Sequence, residues 1–200
     1  MVYLWFFSFF YCVLLGGLNI SPEAQTLIYG IYRGDEEIGE IVATINATNE
    51  TVQYMVNSDV NFRVFWKYNR TTDLEVIYCD NILISSFNQI HLNDKLKEQS
   101  EVRMVDGLYH CFSYPSEFSQ QKTEIVFSAG RLFFDEPIGF TKVYSENYLE
   151  FVPLEDVGNH MYKLTLPGDR INQYRYQDGK LMEVMVNRTW FSLVFKRKSV

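Results

Sequence analysis

The chain has 200 residues, of which 47% are hydrophobic and 16% aromatic, and a formal net charge of −7 at pH 7. That length suits a single domain with its own core. The acidic balance argues against nucleic acid or an anionic membrane surface as partner, because either calls for a basic patch.

The first charged side chain is Glu23, and Met1–Pro22 is uncharged and mostly aromatic or aliphatic. A secretory signal needs an apolar core of about 7–15 residues and a small residue at the cut. Val2–Leu15 supplies the first, and Ala24 before Gln25 the second. No Lys or Arg precedes the run, and Pro22 sits where a small residue is usual. The competing reading is an uncleaved anchor, since spanning a bilayer takes about 20 apolar residues. Gly16, Gly17, Asn19 and Pro22 break the helix early and favour cleavage. The organisation expected is a signal peptide over 1–24 and one β domain over 25–200. The protein is then exported, periplasmic or associated with the outer envelope, touching membrane only through residues 1–22.

Beyond the leader, strand signals dominate. Leu27–Arg33 and Glu37–Asn46 flank Gly34-Asp35 and read as a hairpin, with Ile41, Ala43 and Ile45 on one face. Val52, Tyr54 and Val56 repeat the alternation. Val60, Phe62, Val64, Trp66 and Tyr68 alternate against Asn61, Arg63 and Lys67 and read as one half-buried strand. Asp80-Asn81, Asn93-Asp94 and Asp106-Gly107 then separate alternating runs, as two-residue hairpin turns do.

Taken as two-residue loops, these turns fix a register. Cys79 opposes Ile82, Ile82 opposes Val105, and Val105 opposes Leu108, so Cys111 lies three strands across and three residues along. That separation is roughly 17 Å, whereas a disulfide needs Cα atoms within about 7 Å. Cys79 and Cys111 are therefore predicted to be free. On the same register His91 pairs with Leu96, and His110 pairs with Arg103 about 23 Å away along the strand. His160 stands alone in its turn, so no metal site is expected.

Thr123–Phe134 fits either strand or a short helix, and Asp135-Glu136-Pro137 ends it. Phe140–Tyr144, Tyr148–Leu154 and His160–Leu166 read as strands, with Pro167-Gly168-Asp169 as a turn. Asp178-Gly179 joins Ile171–Tyr176 to Leu181–Asn187, and Arg188-Thr189 joins that to Trp190–Lys196. This register puts Ile171, Met182, Val184, Val186, Phe191, Leu193 and Phe195 on the buried face. It puts Tyr174, Tyr176, Glu183, Ser192 and Lys196 on the wetter one. About a dozen antiparallel strands are too many for a flat sheet, so an all-β meander curled into a partly open barrel or clam is expected.

Catalytic motifs are missing from the sequence. There is no G-x-S-x-G turn and no phosphate loop, and no Cys–His pair meets on this register. Glu155-Asp156 and Asp135-Glu136 read as solvated turns. No catalytic residue, cofactor or metal is assigned. Beyond the leader, four N-x-[ST] sequons occur at Asn46, Asn49, Asn69 and Asn187; they are glycosylated only where the host glycosylates exported proteins. The chain also carries 14 Tyr and 16 Phe. Ordinary core packing accounts for most, and a barrel lined by such residues can hold an apolar ligand. The candidate ligand-facing or core residues are Phe62, Val64 and Trp66 early in the chain. Late in the chain they are Met182, Val184 and Val186, with Phe191, Leu193 and Phe195.

Several stretches resemble a known family. They are Arg131-Leu132-Phe133-Phe134-Asp135-Glu136-Pro137, Val143-Tyr144-Ser145-Glu146 and Met161-Tyr162-Lys163-Leu164. Closer to the C-terminus, Tyr174–Gly179 and Val184–Thr189 continue the pattern, and Gly34 with Ile38-Gly39 matches near the start. Together they resemble an uncharacterised exported bacterial β-rich family, known only as a domain of unknown function, over roughly Thr26 to Lys198. The resemblance implies a β-protein of the periplasm or outer envelope and carries no catalytic residues. The leading expectation is a non-enzymatic exported protein holding a lipid or other apolar molecule in a concave sheet. The alternatives are a structural or assembly partner in the envelope, using an exposed strand or the Tyr174/Tyr176 face, and a hydrolase or isomerase without a recognisable motif.

Overall fold

The computed structural model describes residues 24–63, 67–115, 117–188 and 191–199. The leader, with its cleavage question, and both Val64 and Trp66 lie outside them, apart from Ala24 and Gln25. The first arm of the chain comprises β1 (Ala24–Arg33), β2 (Glu36–Ala47), β3 (Thr51–Arg63), β4 (Lys67–Cys79), β5 (Ile82–Leu92), β6 (Lys95–Val105), β7 (Leu108–Tyr114) and β8 (Glu117–Gln121). A 3-10 turn, Ala129–Phe133, interrupts the strands. The second arm is β9 (Lys142–Ser145), β10 (Glu150–Gly158), β11 (Met161–Leu166), β12 (Arg170–Gln177), β13 (Lys180–Asn187) and β14 (Ser192–Arg197).

Every strand pairs antiparallel with its chain neighbours within its arm, and β1 joins β14, with Tyr29 opposite Arg197 and Tyr32 opposite Val194. Among the described residues this gives one sheet of fourteen strands with β8 and β9 as its edges, so the sheet is all-β and not closed. The β9 end instead meets the face of β5–β7 through side chains. Asn88 Nδ2 donates to Asn147 Oδ1 at 3.0 Å, Ser100 Oγ to the Glu146 carbonyl at 2.6 Å, and Cys111 Sγ lies 3.5 Å from Tyr144 Oη. Cys79 and Cys111 are both unpaired, Cys111 buried.

The turns show why a meander forms. Asp80-Asn81, Asn93-Asp94, Asp106-Gly107 and Asp178-Gly179 all have both residues at positive φ. That conformation matches the twist of the flanking strands and is adopted readily by Asn, Asp and Gly.

Bulges correct the sequence-derived register in three places. Pairing starts at Cys79↔Ile82, as counted, but shifts between Ile77 and Tyr78, and β5–β6 shifts between Ile90 and His91. Ser85 thus faces Arg103, and Ile82 no longer faces Val105. In β12–β13 the shift between Arg175 and Tyr176 sets Tyr174 opposite Val184 and Ile171 opposite Asn187. One extra residue moves every later side chain to the other face. The extra residue here is Met182 on β13, which sets Leu181 and Val184 on one face, so their partners Tyr176 and Tyr174 are both buried, at 3% and 6% exposure, while Ile171 and Met182 leave the core row. Finally, Val60–Tyr68 is not one strand: Phe62 pairs with Tyr68 across the β3–β4 hairpin.

Candidate functional site

Residues directly opposite on neighbouring strands share a face, so the pairings trace rows around the concave wall. One row runs Arg70, Val60, Gly39, Ile31, Phe195, Val184, Tyr174, Tyr162. The next, toward the β13–β14 loop, runs Leu193, Val186, Asn172, Leu164. Carried one residue beyond Ile171↔Asn187, the register sets Arg170 opposite Arg188. In a meander successive turns alternate ends, so Arg63 and Lys67, the turns at 93–94 and 167–169, and Arg188 and Phe191 gather at one end of the roll. The turns at 80–81, 158–160 and 178–179 gather at the other.

The second end is plugged. The Ala129–Phe133 turn is held from several strands: Tyr176 Oη donates to the Leu132 carbonyl at 2.7 Å, and Tyr29 Oη lies 3.3 Å from the carbonyls of Phe133 and Leu181. Gly130 N–H donates to Glu146 Oε1 at 3.0 Å. A Cβ on Gly130 would come within 3.1 Å of both that oxygen and Val76, so this residue admits no larger side chain without movement. Arg131 stacks its guanidinium over Tyr54, Tyr78 and Phe127. Burial raises the hydroxyl pKa of Tyr29 and Tyr54 to about 12, and it pushes the Tyr78 hydroxyl and the fully buried Glu146 carboxyl up as well.

Above this floor lies a cavity of about 540 Å³, within the size range of small-molecule sites. Ala129 and Phe133 form part of its base, and Ile31, Val60, Leu164, Val186, Leu193 and Phe195 its apolar wall. Phe62, Tyr68 and Phe191 stand with Arg70, Arg170 and Arg188 among the lining residues nearest the first set of loops. Of the residues the sequence nominated, Phe62, Val186, Phe191, Leu193 and Phe195 line the cavity. Val184 is buried in the core beside it, and Met182 sits at the bulge outside the lining. The three arginines and Tyr174 are lining residues that sequence reasoning missed. The register carried past the bulge was the only signal for Arg170, Arg188 and Tyr174.

At the plugged end a smaller recess surrounds Glu136, Asp156, His160 and Tyr162. His160 does not stand alone: its Nδ1 lies 2.8 Å from Glu136 Oε1, which also accepts from Tyr162 Oη at 2.9 Å. The hydrogen bond to Glu136 raises the His160 pKa, and burial raises Tyr162 to about 12. One carboxylate oxygen thus ties the segment after the plug to β11. Among the described residues no three His, Cys, Asp or Glu side chains converge as a metal-binding group.

Residues 29–198 match the family described as Domain of unknown function (DUF6134). The chain belongs to that family. No curated protein matches the sequence. Among solved structures, it is similar to the crystal structure of a beta-barrel-like protein of domain of unknown function DUF1849 from Brucella abortus. The likeness covers 89% of this chain and 96% of that one, with a TM-score of 0.59 and 11% identity. At that identity it speaks of fold alone: the DUF6134 chain has a beta-barrel-like fold.

Proposed function

We propose that this DUF6134 chain is an exported, non-enzymatic binding protein that holds an apolar molecule in the hollow of its rolled sheet. The observation that carries the reading is the 540 Å³ cavity, walled by aliphatic and aromatic side chains from β1, β3, β11, β13 and β14 and floored by the plug. A well-packed core leaves few voids larger than a water molecule, so an open hollow of this size gives an apolar molecule room to sit against the wall. The apolar leader, Val2–Leu15, is the support for export.

The test is native mass spectrometry of the protein produced from its full-length chain and purified without detergent. A reproducible extra mass that organic solvent removes is the expected result and identifies the ligand class. A bare protein mass, together with no uptake of added fatty acid or alcohol, would remove the reading.

One observation favours the envelope-partner alternative. Phe112 on β7 pairs with Phe118 on the edge strand β8, and they are 39% and 64% exposed. The Tyr174/Tyr176 face is buried and unavailable for that role. Cross-linking in intact cells, compared between the wild type and Phe118→Lys, tests it: a partner band lost in the variant supports docking at this edge.

A further inference from the structure

We propose that the cavity mouth is an anion site, in which Arg70, Arg170 and Arg188 hold the head of an anionic amphiphile whose chain lies along the apolar rows beneath. This rests on the cavity reading above and specifies its ligand.

Arg70 lies on β4, Arg170 begins β12 and Arg188 follows the last residue of β13, yet the topology brings them to one end of one hollow, and all three line it. Their internal contacts leave most of their donors free among the described residues. Arg188 Nη1 donates to Asn172 Oδ1 at 3.0 Å and to the Asn187 carbonyl at 2.8 Å. Arg170 Nε donates to the Pro167 carbonyl at 2.9 Å, and its guanidinium lies 5.2 Å from the Tyr148 ring centroid. Among the described residues no carboxylate lies within 4.0 Å of any of the three. The other ion pairs show that acid partners are plentiful in this chain: Arg131 has Asp135, and Lys198 has both Glu37 and Glu40. Glu98, an exposed residue, is the one carboxylate in the lining.

Clustering like charges around a partly desolvated apolar hollow is unfavourable. Arg188 registers that cost: burial lowers its pKa, and the charges of Arg170 and Arg70 lower it further. An anionic head removes the conflict, and guanidinium groups suit carboxylate and phosphate by paired N–H bonds. The residues below the mouth (Phe191, Leu193, Val186, Phe195) offer a hydrocarbon chain a continuous apolar track.

Isothermal titration of the delipidated protein, made from its full-length chain, decides the matter. The probes are dodecanoate, dodecyl phosphate, dodecanol and dodecyltrimethylammonium, each below its micelle concentration, with inorganic phosphate alone as a headgroup control. We expect at least one of the anionic probes to bind about tenfold or more tighter than dodecanol, as charge-assisted hydrogen bonds imply. The cationic probe should bind weakest. Preference between dodecanoate and dodecyl phosphate distinguishes a fatty-acid head from a phosphate head. Arg70→Gln, Arg170→Gln and Arg188→Gln, singly and together, should bring anion and alcohol affinities together. Should a variant fail to fold, the wild-type probe series still decides. Equal affinity for anion and alcohol overturns the anion site and leaves the cavity reading standing. No binding of any chain-bearing probe overturns both, and tight binding of inorganic phosphate alone overturns the amphiphile.

Discussion

Arg131→Ala should be among the most destabilising single changes outside the apolar core. The guanidinium lies 5.7, 5.0 and 4.9 Å from the ring centroids of Tyr54, Tyr78 and Phe127. It also donates from Nη1 to the Val126 carbonyl at 2.9 Å and to Asn81 Oδ1 at 2.8 Å, and from Nε to Asp135 Oδ2 at 3.0 Å. Asp135 is 37% exposed, so the ion pair contributes only about 0–1 kcal/mol. Partly desolvated ring contacts are worth about 0.5–2 kcal/mol each, and they share one cation, so together they supply about 2. The charged bond to the Val126 carbonyl adds about 1.5 kcal/mol or more. The expected loss is roughly 3–5 kcal/mol, a large share of the 5–15 typical of a domain. Equilibrium urea unfolding followed by circular dichroism measures it. Arg131→Lys keeps the charge and loses the planar stack, so it should fall about midway. A loss below about 1 kcal/mol for the alanine variant would refute the assignment of Arg131 as the pin of the plug.

Other expected outcomes are as direct. In Gly39→Ala the new Cβ would run into the Asp59 carbonyl oxygen, a backbone atom that cannot swing away; a loss of about 1–3 kcal/mol follows, and unchanged thermal stability would contradict the close approach of β2 and β3. Glu146 has its carboxyl pKa raised by burial, so the folded state holds its proton to higher pH than the unfolded chain does. Wild-type stability should therefore fall as pH rises from about 4.3 through the raised folded value. Glu146→Gln should flatten that slope, and a wild type that gains on the variant with rising pH would invert the argument. His160 is also raised, by its hydrogen bond with Glu136. Its contribution is present below the unfolded value of about 6.5 and disappears as pH climbs through the folded one. The stability gap between wild type and His160→Gln should therefore be widest in mild acid and close at alkaline pH; a gap independent of pH would dissociate His160 from Glu136.

Local chemistry was enough to mark most strands and hairpin turns of this protein. Alternating side chains and turn pairs such as Asp80-Asn81 and Asp178-Gly179 encode strand and hairpin within a few residues. An antiparallel meander follows, because each such turn returns the chain beside itself. The apolar alternation of Val184–Val186 and Leu193–Phe195 likewise marks a buried face wherever those strands lie. Only the tertiary structure decided which tyrosines and arginines share that face. The extra residue Met182 in β13 puts Leu181 and Val184 on one face and so turns their partners Tyr176 and Tyr174 inward. Nothing in the local pattern favours that extra residue. Likewise, no short-range rule joins His160 to Glu136, or Glu146 to Gly130, because the contact is made by the roll and not by the strand. The hollow exists for the same reason. Its walls are distant in sequence, and its volume depends on how tightly fourteen strands curl around one short turn.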